Sequence, residues 1–266
     1  MKLAIRDLEI DFGRRHVVAV DALDCDAGEI VGVVGESGSG KSMTATAVLG
    51  LATRLGATVR GSIELDGLQL LGATEATMRE VRGRRVAMIF QSPSGAFNPV
   101  MRVGEVFART LRLHGERSKA SAWARAEAAV EEVLLPAAVL GRYPHQLSGG
   151  QLQRVAIAVA LALRAEVLLA DEPTSALDVT VQAEILGLLA RLRERGLAVL
   201  LITHDLAVVA EVADRVAVMQ AGSFVEVGQT TEVLTHPAHE YTRSLLDAVP
   251  KLSAVPSAED SGARSL

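Results

Sequence analysis

Residues 35–42 decide the fold of this chain and read Gly35-Glu36-Ser37-Gly38-Ser39-Gly40-Lys41-Ser42. This stretch matches the pattern G-x-x-x-x-G-K-S/T and follows a short apolar run at residues 30–34. Glycines let the backbone turn its N–H groups towards phosphate oxygens, while Lys41 supplies a positive charge for the terminal phosphates and Ser42 offers a hydroxyl to Mg²⁺. A helix beginning at Lys41 adds the positive end of its dipole. We therefore predict a phosphate-binding loop between a strand and a helix.

Four short apolar runs predict strands that are buried on both faces of a parallel sheet. The runs are residues 30–34, 86–90, 167–170 and 198–203. Ligands of an open parallel sheet bind beyond the carboxyl ends of its strands. The polar residues that follow the runs, among them Gln91 and His204, should therefore converge with the phosphate loop on one site.

The third run ends in two adjacent carboxylates, Asp171 and Glu172. Asp171 is placed to hold Mg²⁺ through water, and Glu172 to orient and deprotonate an attacking water molecule. An acidic turn after a strand is common by itself, so this interpretation depends on the phosphate loop in the same chain. Together the two features predict hydrolysis of a nucleoside triphosphate.

A second candidate anion site is Leu147-Ser148-Gly149-Gly150-Gln151, which precedes a predicted helix. A serine hydroxyl, glycine N–H groups and a helix N-terminus can all be directed at an anion. Because the phosphate loop already holds one side of a nucleotide, we expect this second site to serve a nucleotide bound by another copy.

Composition and charge exclude several classes of protein. The chain has 266 residues, of which 49% are hydrophobic and 22% charged, and this suits one large α/β domain. Its net charge of −5 argues against a general nucleic-acid binder, because such proteins carry a basic surplus. The longest apolar run, residues 155–163, is far shorter than the ~20 residues that span a bilayer. Charges at Lys2, Arg6 and Asp7 interrupt any signal peptide, so we expect a cytosolic chain.

Two smaller parts surround the predicted sheet. Residues 3–10 and 62–65 carry strand patterns that predict a small antiparallel β lobe. Charged, Ala-rich residues with helical periodicity predict a helical insert at about residues 92–155. We expect one nucleotide-binding domain over residues 1–249 and a short flexible C-terminal tail over residues 250–266, where Ser, Ala, Pro and Gly are frequent.

Taken together, these motifs closely resemble those of the ATP-binding-cassette (ABC) ATPases. They follow the order of that family over roughly residues 3–230. The matching segments are the Walker A loop at 35–42, the Q-loop residue Gln91, the signature at 147–151, the Walker B strand at 167–172, the D-loop Ser175-Ala176-Leu177-Asp178 and the switch histidine His204. The resemblance implies an α/β fold with a P-loop NTPase (RecA-like) core around a parallel sheet, a small antiparallel β lobe and a helical insert.

The resemblance also implies that two cassettes pair head to tail and hydrolyse ATP with Mg²⁺. Each ATP would lie between the Walker A loop of one cassette and the signature of the other, where Ser148 and Gly150 contact the γ-phosphate. The implied catalytic residues are Glu172, His204 and Gln91, and the implied Mg²⁺ ligands are Ser42, Gln91 and Asp171. The implied nucleotide contacts are Phe12, Gly35, Ser37, Gly38, Ser39, Gly40, Lys41, Ser42, Ser148, Gly149, Gly150, Gln151 and Asp178.

Phe12 is the candidate for contact with the base. It lies 23 positions before Gly35, where the family places an aromatic ring that stacks on adenine. The alternative is a phenylalanine in the core or at a strand edge, since the spacing varies among members. Val17 is a further candidate for apolar contact with the base.

Two segments narrow the resemblance to the oligopeptide, dipeptide and nickel importer group. They are residues 92–99, after Gln91, and residues 236–246. The resemblance implies a peripheral ATPase subunit at the cytoplasmic face of the plasma membrane that energises import of a peptide, nickel or a metal chelate. Its implied partners are two transmembrane permease subunits, a second identical or homologous cassette and, indirectly, an extracytoplasmic substrate-binding protein; no nucleic acid is expected.

The chain departs from longer members of that group in its cysteines. Those members continue into a cysteine-containing extension, whereas Cys25 is the only cysteine here. We therefore expect no iron–sulfur cluster and no internal disulfide. His236 and His239 are the remaining metal candidates, but two histidines separated by a proline are a weak ligand set.

Three alternatives to an import ATPase stay open: a soluble ABC ATPase outside transport, an exporter subunit, and a cassette that binds ATP without hydrolysis. Proteins of the first class usually carry two cassettes, a long coiled coil or basic patches, which this sequence lacks. The presence of Glu172 and His204 argues against the third class. Only the segments shared with the importer group argue against an exporter.

A docking surface is also expected beside Gln91. Residues 92–99 include Phe97 in a stretch that otherwise has the composition of a loop. Exposed apolar loop residues are candidates for contact with a partner, here a short cytoplasmic helix of a membrane subunit. The alternative is that Phe97 packs beneath the helical insert.

Overall fold

Ten strands and ten α-helices make up the part of the chain that the computed structural model describes, residues 2–175 and 177–248. The strands are β1 (Leu3–Phe12), β2 (Arg15–Cys25), β3 (Ile30–Val34), β4 (Thr58–Leu65), β5 (Leu68–Gln69), β6 (Val86–Ile89), β7 (Val167–Asp171), β8 (Ala198–Thr203), β9 (Arg215–Gln220) and β10 (Ser223–Gln229). The helices are α1 (Lys41–Val48), α2 (Glu75–Val81), α3 (Pro93–Ala96), α4 (Val103–Leu113), α5 (Lys119–Glu132), α6 (Gly149–Ala162), α7 (Val179–Glu194), α8 (Leu206–Val212), α9 (Thr230–Thr235) and α10 (Glu240–Ala248). Within these residues, none of the helices is long and apolar enough to cross a membrane.

A six-stranded sheet in the order β10-β9-β3-β8-β7-β6 forms the centre of the domain. Every neighbouring pair is parallel except β9 and β10, which are antiparallel. The four predicted strands lie next to one another as β3, β8, β7 and β6, so the predicted parallel core is confirmed. β9, which is not among the predicted strands, extends this core on the other side of β3.

The second sheet is the predicted antiparallel β lobe. Its four strands have the order β2-β1-β4-β5, and β1 pairs with β2 on one side and β4 on the other. Leu3 lies opposite both Cys25 and Leu65, so the lobe begins at the very start of the described chain. The expected combination of a parallel core with an antiparallel lobe and helices is therefore confirmed.

Successive residues of the central strands face two different apolar cores. Ile30 and Leu168 pack with the helical side of the domain, whereas Val31 and Leu169 pack with the antiparallel lobe. Because both faces are covered, the positions before the carboxyl ends of these strands carry apolar side chains, which explains the uninterrupted apolar runs. Position 32 of β3 favours glycine, because a Cβ on Gly32 would lie 2.8 Å from the Val209 side chain on α8.

The helical insert consists of α3, α4 and α5 followed by α6, which packs against α4 and α5. α6 continues to Ala162 and so passes the predicted end of the insert at about residue 155. The domain limits therefore stay predictions. The predicted tail over residues 250–266 lies outside the described residues.

Phe97 is not a surface residue. It is 9% exposed and belongs to the apolar core that contains Val103, Phe107 and Leu152 of the insert. The expectation that Phe97 docks a membrane subunit is therefore wrong, and the alternative is correct. Phe90, the residue that follows β6, is 49% exposed instead.

Candidate functional site

The phosphate loop lies between β3 and α1, as predicted. Gly35 and Gly40 have φ values of 155° and 108°, in the region that favours glycine. A Cβ on Gly35 would lie 2.0 Å from the carbonyl oxygen of Met219, and one on Gly40 would lie 2.9 Å from the Val18 side chain. The two glycines therefore let the loop fit closely between β9 and β2.

Lys41 occupies the centre of this loop and is only 5% exposed. Its Nζ donates to the carbonyl oxygens of Gly35, at 2.7 Å, and Glu36, at 2.8 Å. Burial lowers the pKa of Lys41, and the nearby carboxylates of Glu172 and Asp171 oppose this shift. The ammonium group is thus held inside the loop, where an anion would meet it.

Two of the three predicted Mg²⁺ ligands, Ser42 and Asp171, meet in the candidate magnesium site, whereas the side-chain amide of the third, Gln91, donates to Glu172. The Ser42 hydroxyl at the start of α1 donates to Oδ1 of Asp171 at the end of β7, at 2.9 Å. Burial raises the pKa of Asp171, Glu172 raises it further, and the bond from Ser42 lowers it. A hydroxyl and one carboxylate fit Mg²⁺, which protein sites usually bind through one or two carboxylates together with substrate phosphates.

No group of three or more His, Cys, Asp or Glu residues able to hold a metal ion occurs within residues 2–175 and 177–248. At the other candidate, Nδ1 of His239 accepts a hydrogen bond from the backbone of Tyr241 at 3.1 Å, and Nδ1 of His236 lies 2.9 Å from the Thr235 hydroxyl.

The three candidate catalytic residues meet at Glu172. Nε2 of Gln91 donates to one carboxylate oxygen of Glu172 at 2.8 Å, and Nδ1 of His204 lies 3.0 Å from the other. The Glu172 side chain is 16% exposed, whereas that of His204 is 57% exposed. Glu172 has a φ of 46°, and its N–H donates to the carbonyl of Ile202 at 2.8 Å. The turn after β7 therefore places this carboxylate beside the ends of β6 and β8.

Phe12 and Val17, the predicted base contacts, lie beside the phosphate loop. Both line a cavity of about 470 Å³ together with Lys41, Ser42 and other residues of the phosphate loop. The same lining contains Arg15, which sequence reasoning did not single out. Arg15 pairs with Phe12 across the β1–β2 hairpin. A turn predicted at residues 13–14 would have placed Arg15 opposite Phe12 and so beside the same cavity.

The signature begins helix α6. The Ser148 hydroxyl accepts from the backbone N–H of Gln151 at 3.2 Å, and the Gln151 side chain accepts from the Ser148 N–H at 3.2 Å. This reciprocal capping fixes the orientation of the helix N-terminus. A Cβ on Gly150 would lie 2.2 Å from the Val181 side chain, so this glycine also permits close packing of α6 against α7.

Among the described residues that line the phosphate-loop cavity, none belongs to the signature. Of its residues, Gly149 lines a separate cavity of about 510 Å³ with Gln91, Glu172 and His204. Asp178 caps α7, where its carboxylate accepts from the N–H of Val181 at 3.0 Å. Ala176 of the D-loop lies outside the described residues. Nucleotide contact by the signature and Asp178 stays a prediction that needs a second chain.

Comparison with known proteins agrees with this geometry. The family model described as ABC transporter matches residues 20–175. The glutathione import ATP-binding protein GsiA of Escherichia coli O157:H7 is 47% identical over 266 aligned residues, which are 95% of this chain and 43% of that protein. The chain thus spans less than half the length of the curated relatives it matches.

Two solved structures have a similar fold. One is cbiO1 from Clostridium perfringens, part of the ABC transporter complex cbiONQ, with a TM-score of 0.77, 25% identity and coverage of 88% of this chain and 90% of that one. The other is the dimeric ATP-binding cassette MJ0796 in a post-hydrolysis state with ADP and Pi, with a TM-score of 0.72, 26% identity and coverage of 86% and 98%. This chain therefore belongs to the ABC transporter family, as its motifs predict, and has the fold of an ATP-binding cassette of that family.

Proposed function

We propose that this chain hydrolyses ATP and thereby energises the import of a solute through membrane permease subunits. The observation that carries the proposal is the meeting of Gln91 and His204 on the two carboxylate oxygens of Glu172, beside the cavity lined by Lys41. Import is favoured by the relative at 47% identity, which is a glutathione import ATP-binding protein. That name also favours a small peptide over nickel or a metal chelate as the solute.

The residues divide the chemistry among them. Lys41 binds the terminal phosphates, while Glu172 orients a water molecule and accepts its proton. Gln91 and His204 hold the carboxylate of Glu172 in a fixed orientation, which lowers the entropic cost of aligning the water. Mg²⁺ held by Ser42 and Asp171 would neutralise charge that develops on the phosphate oxygens.

The proposal is tested by measuring phosphate release from ATP by the full chain, alone and assembled with its membrane subunits. Release should require Mg²⁺ and stop when a chelator is added. Because Asp171 must be ionised to bind Mg²⁺ and its pKa is raised above the ordinary value of 3.8, the Mg²⁺ requirement should rise in acid, beginning at a higher pH than for an ordinary aspartate. Phosphate release that persists in excess chelator would contradict the assigned site.

We further propose that two such cassettes pair head to tail around ATP. The support is that Ser148 caps the N-terminus of α6 outside the cavity lined by the phosphate loop, so that a facing chain could use it as an anion site. The similar cassette MJ0796 is dimeric in its solved structure, which agrees with this arrangement.

Ser148→Arg should leave ATP binding by the monomer unchanged but prevent ATP-driven pairing, because the long side chain occupies the anion site. Size-exclusion chromatography with ATP compares Glu172→Gln chains with and without Ser148→Arg. Ser118→Arg is the matched control, since Ser118 caps α5 in the same manner as Ser148 caps α6. Equal dimer formation by all three forms would refute head-to-tail pairing.

We also propose that a cytoplasmic helix of a membrane subunit docks in a groove of about 850 Å³ between β6 and the helices α2, α4 and α6. Phe90 lines this groove with its exposed ring. The lining also contains three arginines, Arg79, Arg82 and Arg84, but only one acidic residue, Glu80. An amphipathic helix with apolar and acidic side chains fits this surface. Such docking would hold the chain at the cytoplasmic face of the membrane.

Phe90→Asp should reduce recovery of the membrane subunits in a pull-down about tenfold or more, since it places a charge in an apolar contact. ATP binding by the isolated chain should not change. Leu55→Asp is the matched control, because Leu55 is 61% exposed and lies outside the groove. Normal assembly of the Phe90→Asp chain would show that the groove is not the docking site.

A further inference from the structure

Helix α10, the last helix of the described residues, contacts the phosphate loop. Its first turn carries Tyr241, whose hydroxyl accepts a hydrogen bond from the backbone N–H of Glu36 at 3.0 Å. Tyr241 is 8% exposed, and burial raises the pKa of its hydroxyl above the ordinary value. The hydroxyl therefore stays neutral at physiological pH and remains available as an acceptor.

The segment before α10 fixes the place of Tyr241. The carboxylate of Glu226 on β10 accepts from the backbone N–H groups of Ala238, at 2.8 Å, and His239, at 3.1 Å. Nδ1 of His239 then accepts from the N–H of Tyr241 at 3.1 Å. A chain of hydrogen bonds therefore runs from the central sheet to the helix that carries the tyrosine.

The packing of α10 joins two parts of the candidate ATP site. The Tyr241 ring belongs to an apolar cluster with Val34, the last residue before the phosphate loop, and Leu206, two residues after His204. Leu245, one turn further along α10, lines a cavity of about 420 Å³ with Glu36 and other loop residues and with His204.

Tyr241 and Lys41 hold opposite sides of one peptide unit. The N–H of Glu36, bonded to Tyr241, and the C=O of Gly35, which accepts from Lys41 Nζ at 2.7 Å, belong to the same planar peptide. In a trans peptide these two groups point in opposite directions. The tyrosine therefore determines the direction in which the Gly35 carbonyl faces the lysine.

We propose that Tyr241 is a positioning residue for nucleotide binding, which prevents the Gly35–Glu36 peptide from rotating when Lys41 moves from the loop carbonyls to a phosphate. This inference rests on the proposed ATP site and adds to it a residue from the far end of the domain. It gives the segment around residues 236–246 a role in nucleotide affinity. α10 acts through the loop and does not itself touch the phosphates.

Tyr241→Phe removes the hydroxyl and keeps the ring against Val34 and Leu206. In titrations of the full chain with a fluorescent ATP analogue, we expect affinity to fall about threefold to tenfold, the loss typical of one hydrogen bond. The amide proton resonance of Glu36 should move upfield and its hydrogen exchange should become faster. Both changes should appear at temperatures well below the melting temperature of either form.

Ser244→Ala is the matched control. It removes another hydroxyl of α10, one that donates to the backbone carbonyl of Tyr241 at 2.8 Å and leaves the phosphate loop untouched. Its ATP affinity and Glu36 resonance should equal those of the wild type. If the wild type binds ATP and Tyr241→Phe binds it with the same affinity, this inference is overturned, whereas the proposed function stands. Equal losses in Tyr241→Phe and Ser244→Ala would overturn it as well, and a wild type that binds no ATP would overturn the proposed function itself.

Discussion

Glu172→Gln is expected to lower the rate of ATP hydrolysis about 100- to 10,000-fold, the range usually supplied by a general base. The amide keeps the size of the carboxylate but cannot take a proton from water. Its carbonyl oxygen can still accept from Gln91, so the variant should remain folded and ordered. ATP affinity should stay within about twofold, because Lys41 and the loop amides supply the binding.

The measurement is phosphate release by the complex assembled with membrane subunits, together with a titration of nucleotide affinity. Glu131→Gln is the matched control, because Glu131 is an exposed residue of α5 in the helical insert. If Glu172→Gln turns over ATP at the rate of the wild type, Glu172 is not the base. If it loses affinity as strongly as activity, its role is binding instead.

The sequence could predict the central strands and the residues at their ends for one physical reason. A strand covered on both faces must be apolar throughout, and the next polar residue then marks the carboxyl edge of the sheet. Gln91, Glu172 and His204 each follow such a strand, and the structure brings them within hydrogen-bonding distance. At these strand ends the local sequence contains both the apolar strand and the polar residue with its chemistry, so the position of the site can be predicted without knowing which residues are in contact across the fold.

Phe97 shows where such reasoning fails. Its neighbours along the chain have the composition of a loop, so the local pattern predicts exposure. The ring is nevertheless buried, because it belongs to an apolar core to which α4, α6 and other elements from elsewhere in the chain contribute. Burial of an isolated apolar residue depends on tertiary packing, which a single sequence does not display.

The contact between Tyr241 and Glu36 was equally inaccessible to the sequence. The two residues are 205 positions apart, and nothing in either segment marks the other as its neighbour. Arg15 was missed for a related reason, since its place in the nucleotide cavity depends on how the β1–β2 hairpin folds over the phosphate loop. Motifs of known chemistry were therefore predictable, and their supporting contacts were not.

Lys41→Ala should weaken ATP binding by about 10- to 100-fold, which corresponds to the loss of one hydrogen bond to a charged group. Lys41 is only 5% exposed, so solvent screens its attraction for phosphate less than it would at the protein surface. Its two bonds to loop carbonyls give it a structural role too, so the melting temperature must be measured alongside affinity.

The fluorescent ATP analogue used for Tyr241→Phe also serves to measure Lys41→Ala. Lys119→Ala is the control for the loss of one positive charge, because Lys119 is exposed at the start of α5. Raising the salt concentration should weaken binding to the wild type only slightly, because salt screens a buried charge much less than an exposed one. Unchanged affinity of Lys41→Ala at moderate salt would mean that residues 35–42 do not hold the phosphates. A fall in affinity that merely follows a fall in melting temperature would assign Lys41 to the stability of the loop, whereas a fall at unchanged melting temperature assigns it to the nucleotide.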